Sequence, residues 1–120
     1  MNCIKLIGII AFTTSLTACG VQTNEELSQL KIEEYAVQVC HSMVDSDIEQ
    51  LEVMFSDRAM KNFLNRAEVW KSEVAHKITC DVVSTRERKR GLEFRFKSKA
   101  AKSLRVTIAK NNGIYQVANI

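Results

Sequence analysis

The chain has 120 residues, 46% of them hydrophobic and 26% charged, with a formal net charge of +3, which excludes collagen-like, low-complexity and intrinsically disordered classes. Beyond residue 18 there remain 102 residues, enough for one small core and too few for two domains. Proline is absent, so no X-Pro isomerisation enters folding.

Residues 1–18 hold Lys5, an apolar run from Leu6 to Phe12 and small residues ahead of Cys19, the three parts of a secretory signal. The run is too short to cross a bilayer, which takes about 20 apolar residues. Leu16-Thr17-Ala18-Cys19 resembles the box at which bacterial lipoproteins are cut before the cysteine. The resemblance implies a diacylglycerol on the Cys19 sulfur and a fatty acyl group, typically palmitate, on its new amino end. It thereby implies a lipid-anchored, periplasm-facing protein of the bacterial cell envelope. In enterobacterial lipoproteins an Asp after the cysteine favours the inner membrane, so Gly20 points to the outer one. An ordinary cleavable signal that contains a cysteine, or a short buried strand, are the competing readings. Residues 19–24 then form a short tether, with residues 20–24 spanning about 17 Å if extended, and residues 25–120 form the domain.

Glu25 to Val44 reads as a helix, with Glu25 and Glu26 in its first turn and Ile32, Ala36, Val39, Cys40 and Met43 recurring at helical spacing. Ser46 and Glu49 have the spacing of a capping box for a second helix carrying Ile48, Leu51, Met54 and Phe55. Ser56 can cap a third, Asp57 to Val74, with the stripe Met60, Phe63, Leu64, Ala67, Trp70 and Val74.

After Ala75 the period falls from 3.6 to 2. Ile78, Cys80 and Val82; Leu92, Phe94 and Phe96; and Leu104, Val106 and Ile108 each alternate with polar residues. Asn111-Asn112-Gly113 is hairpin-turn chemistry and leads into a last strand, Ile114 to Ala118. The fold class is α+β: about three helices packed on a curved four-stranded antiparallel meander, buried on one face and wet on the other.

Cys3 leaves with the signal and Cys19 takes the lipid, so the domain keeps Cys40 and Cys80. An even pair in an oxidising compartment reads as a disulfide, with two buried free thiols as the alternative. The apolar periods put Cys40 and Cys80 on facing surfaces, which predicts a Cα separation of about 4.4–6.8 Å. With His41 and His76 the only histidines, the spacing of a zinc site is missing and no metal is expected.

Two stretches, Val44-Asp45-Ser46-Asp47-Ile48-Glu49-Gln50-Leu51 on to Met54-Phe55-Ser56, and Arg105 through Val117, resemble the second helix and the terminal hairpin of the cone-shaped, cystatin-like nuclear transport factor 2-like fold. Enzymatic members place an acid or His base and a Tyr inside the cone. Here Asp81 and Glu93 fall on the register opposite the apolar residues, and Tyr115, next to an inward Ile114, is expected to point away. No residue carries over as catalytic, so no isomerase or hydrolase activity is expected, and no cofactor beyond the covalent lipid.

Charge divides along the chain. Cys19 to His76 holds five basic and eleven acidic residues, a net −6, and Lys77 onward holds eleven basic and three acidic, a net +8. Arg86, Arg88, Lys89 and Arg90 form a run expected in the loop between the first two strands, and Arg95, Lys97 and Arg105 project from the polar strand face. This arrangement predicts a non-catalytic binding or accessory domain turned toward an anionic envelope component or an acidic envelope protein. The bland reading is solubility and edge protection. An apolar-ligand cone and an immunity-type interaction lipoprotein are the other functional readings. Nucleic acid is not expected, because no aromatics interleave with the cations.

Overall fold

The computed structural model describes residues 21–99 and 103–120. The expected signal region and the expected lipidation site Cys19 lie outside the described residues.

Thr23 begins the helical layer with a reciprocal cap, its hydroxyl accepting from Glu26 N–H at 3.1 Å while the Glu26 carboxylate accepts from Thr23 N–H at 2.8 Å. The helix it opens, α1 (Asn24–Leu27), stops after one turn, and α2 (Ile32–Val44) follows. The single helix expected from Glu25 to Val44 is therefore broken at residues 28–31. The polar groups at the break serve the sheet instead. Ser28 Oγ donates to Asn24 C=O at 2.6 Å and accepts from Tyr115 N–H at 2.8 Å, and Leu30 C=O accepts from the Tyr115 hydroxyl at 2.8 Å.

Ser46 ends α2 rather than beginning the next helix. Its φ is +53°, its N–H reaches Met43 C=O at 3.1 Å, and Asp47 N–H reaches Ser42 C=O at 2.9 Å. That is the Schellman pattern, with Ser46 in the left-handed position that usually holds glycine. The cap of α3 (Ile48–Met54) is Asp47, whose carboxylate accepts from Gln50 N–H at 3.4 Å. Ser56 caps α4 (Asp57–Asn65) as expected, through Ala59 N–H at 3.2 Å. The expected run to Val74 breaks at Arg66, then continues as α5 (Ala67–Val69), one π turn (Trp70–Val74) and one 3-10 turn (Ala75–Lys77). Within α4 the buried face is Ala59 and Phe63, so Leu64, expected inward, is 52% exposed, while Trp70 beyond the break is buried. Trp70 Nε1 donates to Met43 C=O at 2.9 Å, fastening this segment to the end of α2.

Four strands follow as an antiparallel meander in the order β1 (Ile78–Arg88), β2 (Gly91–Ser98), β3 (Leu104–Asn111), β4 (Ile114–Asn119). The chain is thus one α+β domain. The inward register buries Ile78, Cys80, Phe94, Phe96, Leu104, Val106, Ile108 and Val117 against Tyr35, Ala36, Val39, Cys40 and Met43 of α2 and Leu51 and Met54 of α3. Each large side chain fully buried here contributes roughly 1.5–3 kcal/mol. Tyr115 belongs to this set, a correction to the expected outward placement. It is buried, with its ring centroid 4.9 Å from that of Tyr35, while Ile114 is only half-buried. Lys110, not an apolar residue, lies opposite Tyr115. Burial pushes the Tyr35 phenol well above its usual pKa, so it stays neutral and donates to Asn24 Oδ1 at 2.9 Å.

Cys40 and Cys80 form a disulfide with a Cα separation of 5.6 Å, joining α2 to β1 as the facing apolar periods require. Cys80 takes φ +58° within an irregularity of the β1–β2 ladder between Ile78 and Val82. The bond closes a sequence separation of 40, for which the chain-entropy argument gives about 4 kcal/mol. The Cys40→Ala/Cys80→Ala double variant is expected to lose stability of that order in denaturant titration. A loss below about 1 kcal/mol would show that the bond merely decorates a fold fixed by its core.

Candidate functional site

The β1–β2 hairpin carries most of the basic run. Arg86, Glu87 and Arg88 lie within β1, and only Lys89 and Arg90 form the turn, so the run is largely strand and not loop as expected. Arg88 pairs with Gly91 across this two-residue connection. Gly91 has φ +152°, and a Cβ there would lie 2.2 Å from the Ile108 carbonyl oxygen of β3. Glycine thus lets the hairpin start while pressed against the neighbouring strand.

Because Phe94 and Phe96 face the helices, Glu93, Arg95 and Lys97 must face outward. Register then fixes their neighbours in two rows. Arg86, Glu93 and Thr107 stand side by side on β1, β2 and β3, and Ser84, Arg95 and Arg105 form the next row. Lys89 and Arg90 sit at the hairpin tip. All seven cations singled out in the sequence (Arg86, Arg88, Lys89, Arg90, Arg95, Lys97 and Arg105) are therefore on the outer sheet face or at its tip.

The two rows differ electrostatically. Glu93, with a side chain only 11% exposed, lies 3.7 Å from Arg86 Nε and 3.8 Å from Arg88 Nε. Such pairs contribute little to stability, yet they give these two arginines a counter-charge. Arg95 and Arg105 have none among the described residues, although they stand directly opposite one another. Like charges so placed destabilise a sheet by roughly 0.2–1 kcal/mol. Arg95 also carries the one buried polar side-chain atom without a hydrogen-bond partner among the described residues, its Nε.

One surface cleft lies at the hairpin and another on the helical layer. The first, of about 450 Å³, is lined by Glu87, Arg88, Lys89, Arg90, Glu93, Thr107 and Asn119. The other, of about 540 Å³, lies against α2 at Leu30, Lys31, Glu33, Glu34, Val37 and Gln38. Among the described residues no three His, Cys, Asp or Glu side chains gather where a metal ion could be held, and no helix is long and apolar enough to cross a membrane.

At the N-terminal side, Gln50 is 6% exposed, and both ends of its amide are used by one residue. Its Oε1 accepts from Gln22 N–H at 2.9 Å and its Nε2 donates to Gln22 C=O at 2.9 Å. Asn24 Nδ2 donates to Val53 C=O at 2.8 Å. The chain is therefore fixed to the body from Gln22 onward, so residues 22–24, expected to belong to a tether, are part of the folded domain. Neither this clamp nor the opposition of Arg95 to Arg105 was readable beforehand, because both depend on which segments meet in space.

Comparison of the chain with protein-family models, with curated proteins and with solved structures finds no match.

Gly91→Ala is expected to destabilise the domain by at least about 2 kcal/mol, since the added methyl meets backbone and not a flexible side chain. Thermal unfolding checks this. A change within about 0.5 kcal/mol would mean that β2 and β3 do not approach so closely at this point.

Proposed function

We propose that this protein is a lipid-anchored component of the bacterial cell envelope, acylated on Cys19, whose α+β domain binds an anionic partner through the outer face of its sheet. The domain acts by contact and without catalysis, as a non-enzymatic relative of the nuclear transport factor 2-like cone. The observation that carries this reading is the segregation of charge: cations collect on one sheet face and its hairpin tip, and one arginine pair there has no counter-charge among the described residues. Segregated charge raises the local concentration of oppositely charged partners and speeds their encounter.

The anchor half of the reading draws on the lipobox-like tetrapeptide and on the Gln22–Gln50 clamp. From Cys19 to the clamped Gln22 the chain spans about 10 Å at most. A domain so attached stands close to the bilayer, with the helical layer that holds the clamp turned to it. The cationic face lies on the other side of the sheet from those helices, open to partners arriving from the periplasm or from envelope polymers.

The binding half is tested with the full-length protein in zwitterionic detergent micelles, titrated with polyphosphate at low salt. The combined variant Arg88→Glu, Lys89→Glu, Arg90→Glu, Arg105→Glu is expected to bind at least about tenfold more weakly than the wild type. Equal affinity would refute a binding role for this face. The anchor half is tested by Cys19→Ser, which should leave an unprocessed precursor without acyl chains. A lipidated mature form of that variant in a mass spectrum would contradict the assignment.

A further inference from the structure

On the outer sheet face, positive charge is concentrated at one place where the described residues leave it unanswered. Arg95 and Arg105 are directly paired across β2 and β3, so their Cβ atoms are about 4.5–5.5 Å apart and both guanidinium groups serve one patch. Lys97, two residues along β2, adds a third cation on the same register, and Ser84 places a hydroxyl opposite Arg95 on β1. The nearest carboxylate on the face, Glu93, is engaged by Arg86 and Arg88. Asp81, the acid on the neighbouring part of β1, is exposed and within ion-pair distance of no cation among the described residues.

Two independent features of this patch are unfavourable in the protein alone. The opposed arginines repel, and Arg95 Nε is buried without an acceptor, which costs a group its hydration without return. Both are relieved when the Arg95 side chain turns outward to one anion seated between the two guanidinium groups. A single-charged carboxylate offers two oxygens. A phosphate dianion offers three equivalent oxygens and two charges, enough to accept from both planar forks and from Nε at once.

Resting on the reading of this face as anion-binding, we propose that Arg95 and Arg105, flanked by Lys97 and Ser84, form a binding site for a phosphate monoester. Arg95 is its central ligand because turning outward to the anion gives its Nε the acceptor it lacks among the described residues. Arg86 and Arg88 lie outside the site, held by Glu93.

The experiment follows the Arg95 Nε–Hε resonance in 15N-labelled full-length protein in zwitterionic micelles, titrated with inorganic phosphate against chloride at matched ionic strength. A saturable shift of that resonance with phosphate alone is expected. Arg95→Lys and Arg105→Lys, which keep the charge and lose the fork, should each weaken phosphate affinity about tenfold. Both variants should melt no lower than the wild type, since each removes part of an unfavourable pair and Arg95→Lys also removes the orphan nitrogen. Parallel titrations with glycerol 3-phosphate and with vesicles containing phosphatidic acid identify whether a soluble ester or a lipid headgroup is preferred, and tight binding of either supports the site. A resonance indifferent to phosphate, or lysine variants that bind as the wild type does, would overturn it. If that happens while the fourfold charge reversal still abolishes polyphosphate binding, the site is wrong and the broader surface reading stands. If the reversal is also silent, both fall.

Discussion

The two-residue period of β2 and β3, locked in one antiparallel register, is the constraint from which the rest of the molecule follows. Phe94, Phe96, Leu104, Val106 and Ile108 are all buried against the helices, so Glu93, Arg95, Lys97 and Arg105 are committed to the other face. A slip of one residue would turn one strand over relative to the other. It would either expose Phe94 and Phe96 and carry Arg95 into the apolar core, or expose Leu104, Val106 and Ile108 and carry Arg105 there, and an unpaired charge is not tolerated in that place. The cationic surface is thus a geometrical consequence of the core, and the same packing that stabilises the domain sets Arg95 opposite Arg105.

The helical layer answers a second demand, that of the sheet edges. At β4 the polar backbone is covered: Tyr115 N–H donates to Ser28 Oγ, Ser56 N–H donates to Val117 C=O at 2.8 Å, and Ser56 Oγ donates to Ala118 C=O at 3.3 Å. The break between α1 and α2 supplies Ser28, and the start of α4 supplies Ser56. At the opposite edge β1 is managed differently, with irregular pairing on either side of Val82 and arginines toward its end, two devices that discourage a further strand from adding. The disulfide secures this less supported strand to α2.

Most of the architecture was legible in the sequence because it is written in periodicity. The change from 3.6 to 2 after Ala75 located the boundary between layers, and the alternation around Cys80 together with the helical face of Cys40 placed the two sulfurs on facing surfaces. What could not be read were features decided by partners distant in the chain. Ser28 looks like an ordinary helical residue until β4 claims its hydroxyl. Ser46 looks like an N-cap, since serine favours that position, whereas the αL backbone at the end of α2 needs only a residue that tolerates positive φ. Tyr115 was misplaced because Ile114 seemed the better core residue. Yet Tyr115 buries its ring in the core and its hydroxyl finds an acceptor in Leu30 C=O, so the strand turns that way. The cations of the candidate site were visible as a composition, but which arginine meets which depends on the β2–β3 register, and no local signal in the sequence specifies that register.

The acidic helices and basic sheet are therefore two sides of one packing solution, with the chain clamped at Gln22 on the helical side. The most direct test of this account is the β2–β3 register in solution, measured by cross-strand nuclear Overhauser effects on the backbone of 13C,15N-labelled protein. The account predicts contacts that place Arg95 opposite Arg105 and Phe94 opposite Val106. Contacts that instead place Arg95 opposite Leu104 or Val106 would turn one of the two strands over relative to the other and contradict it.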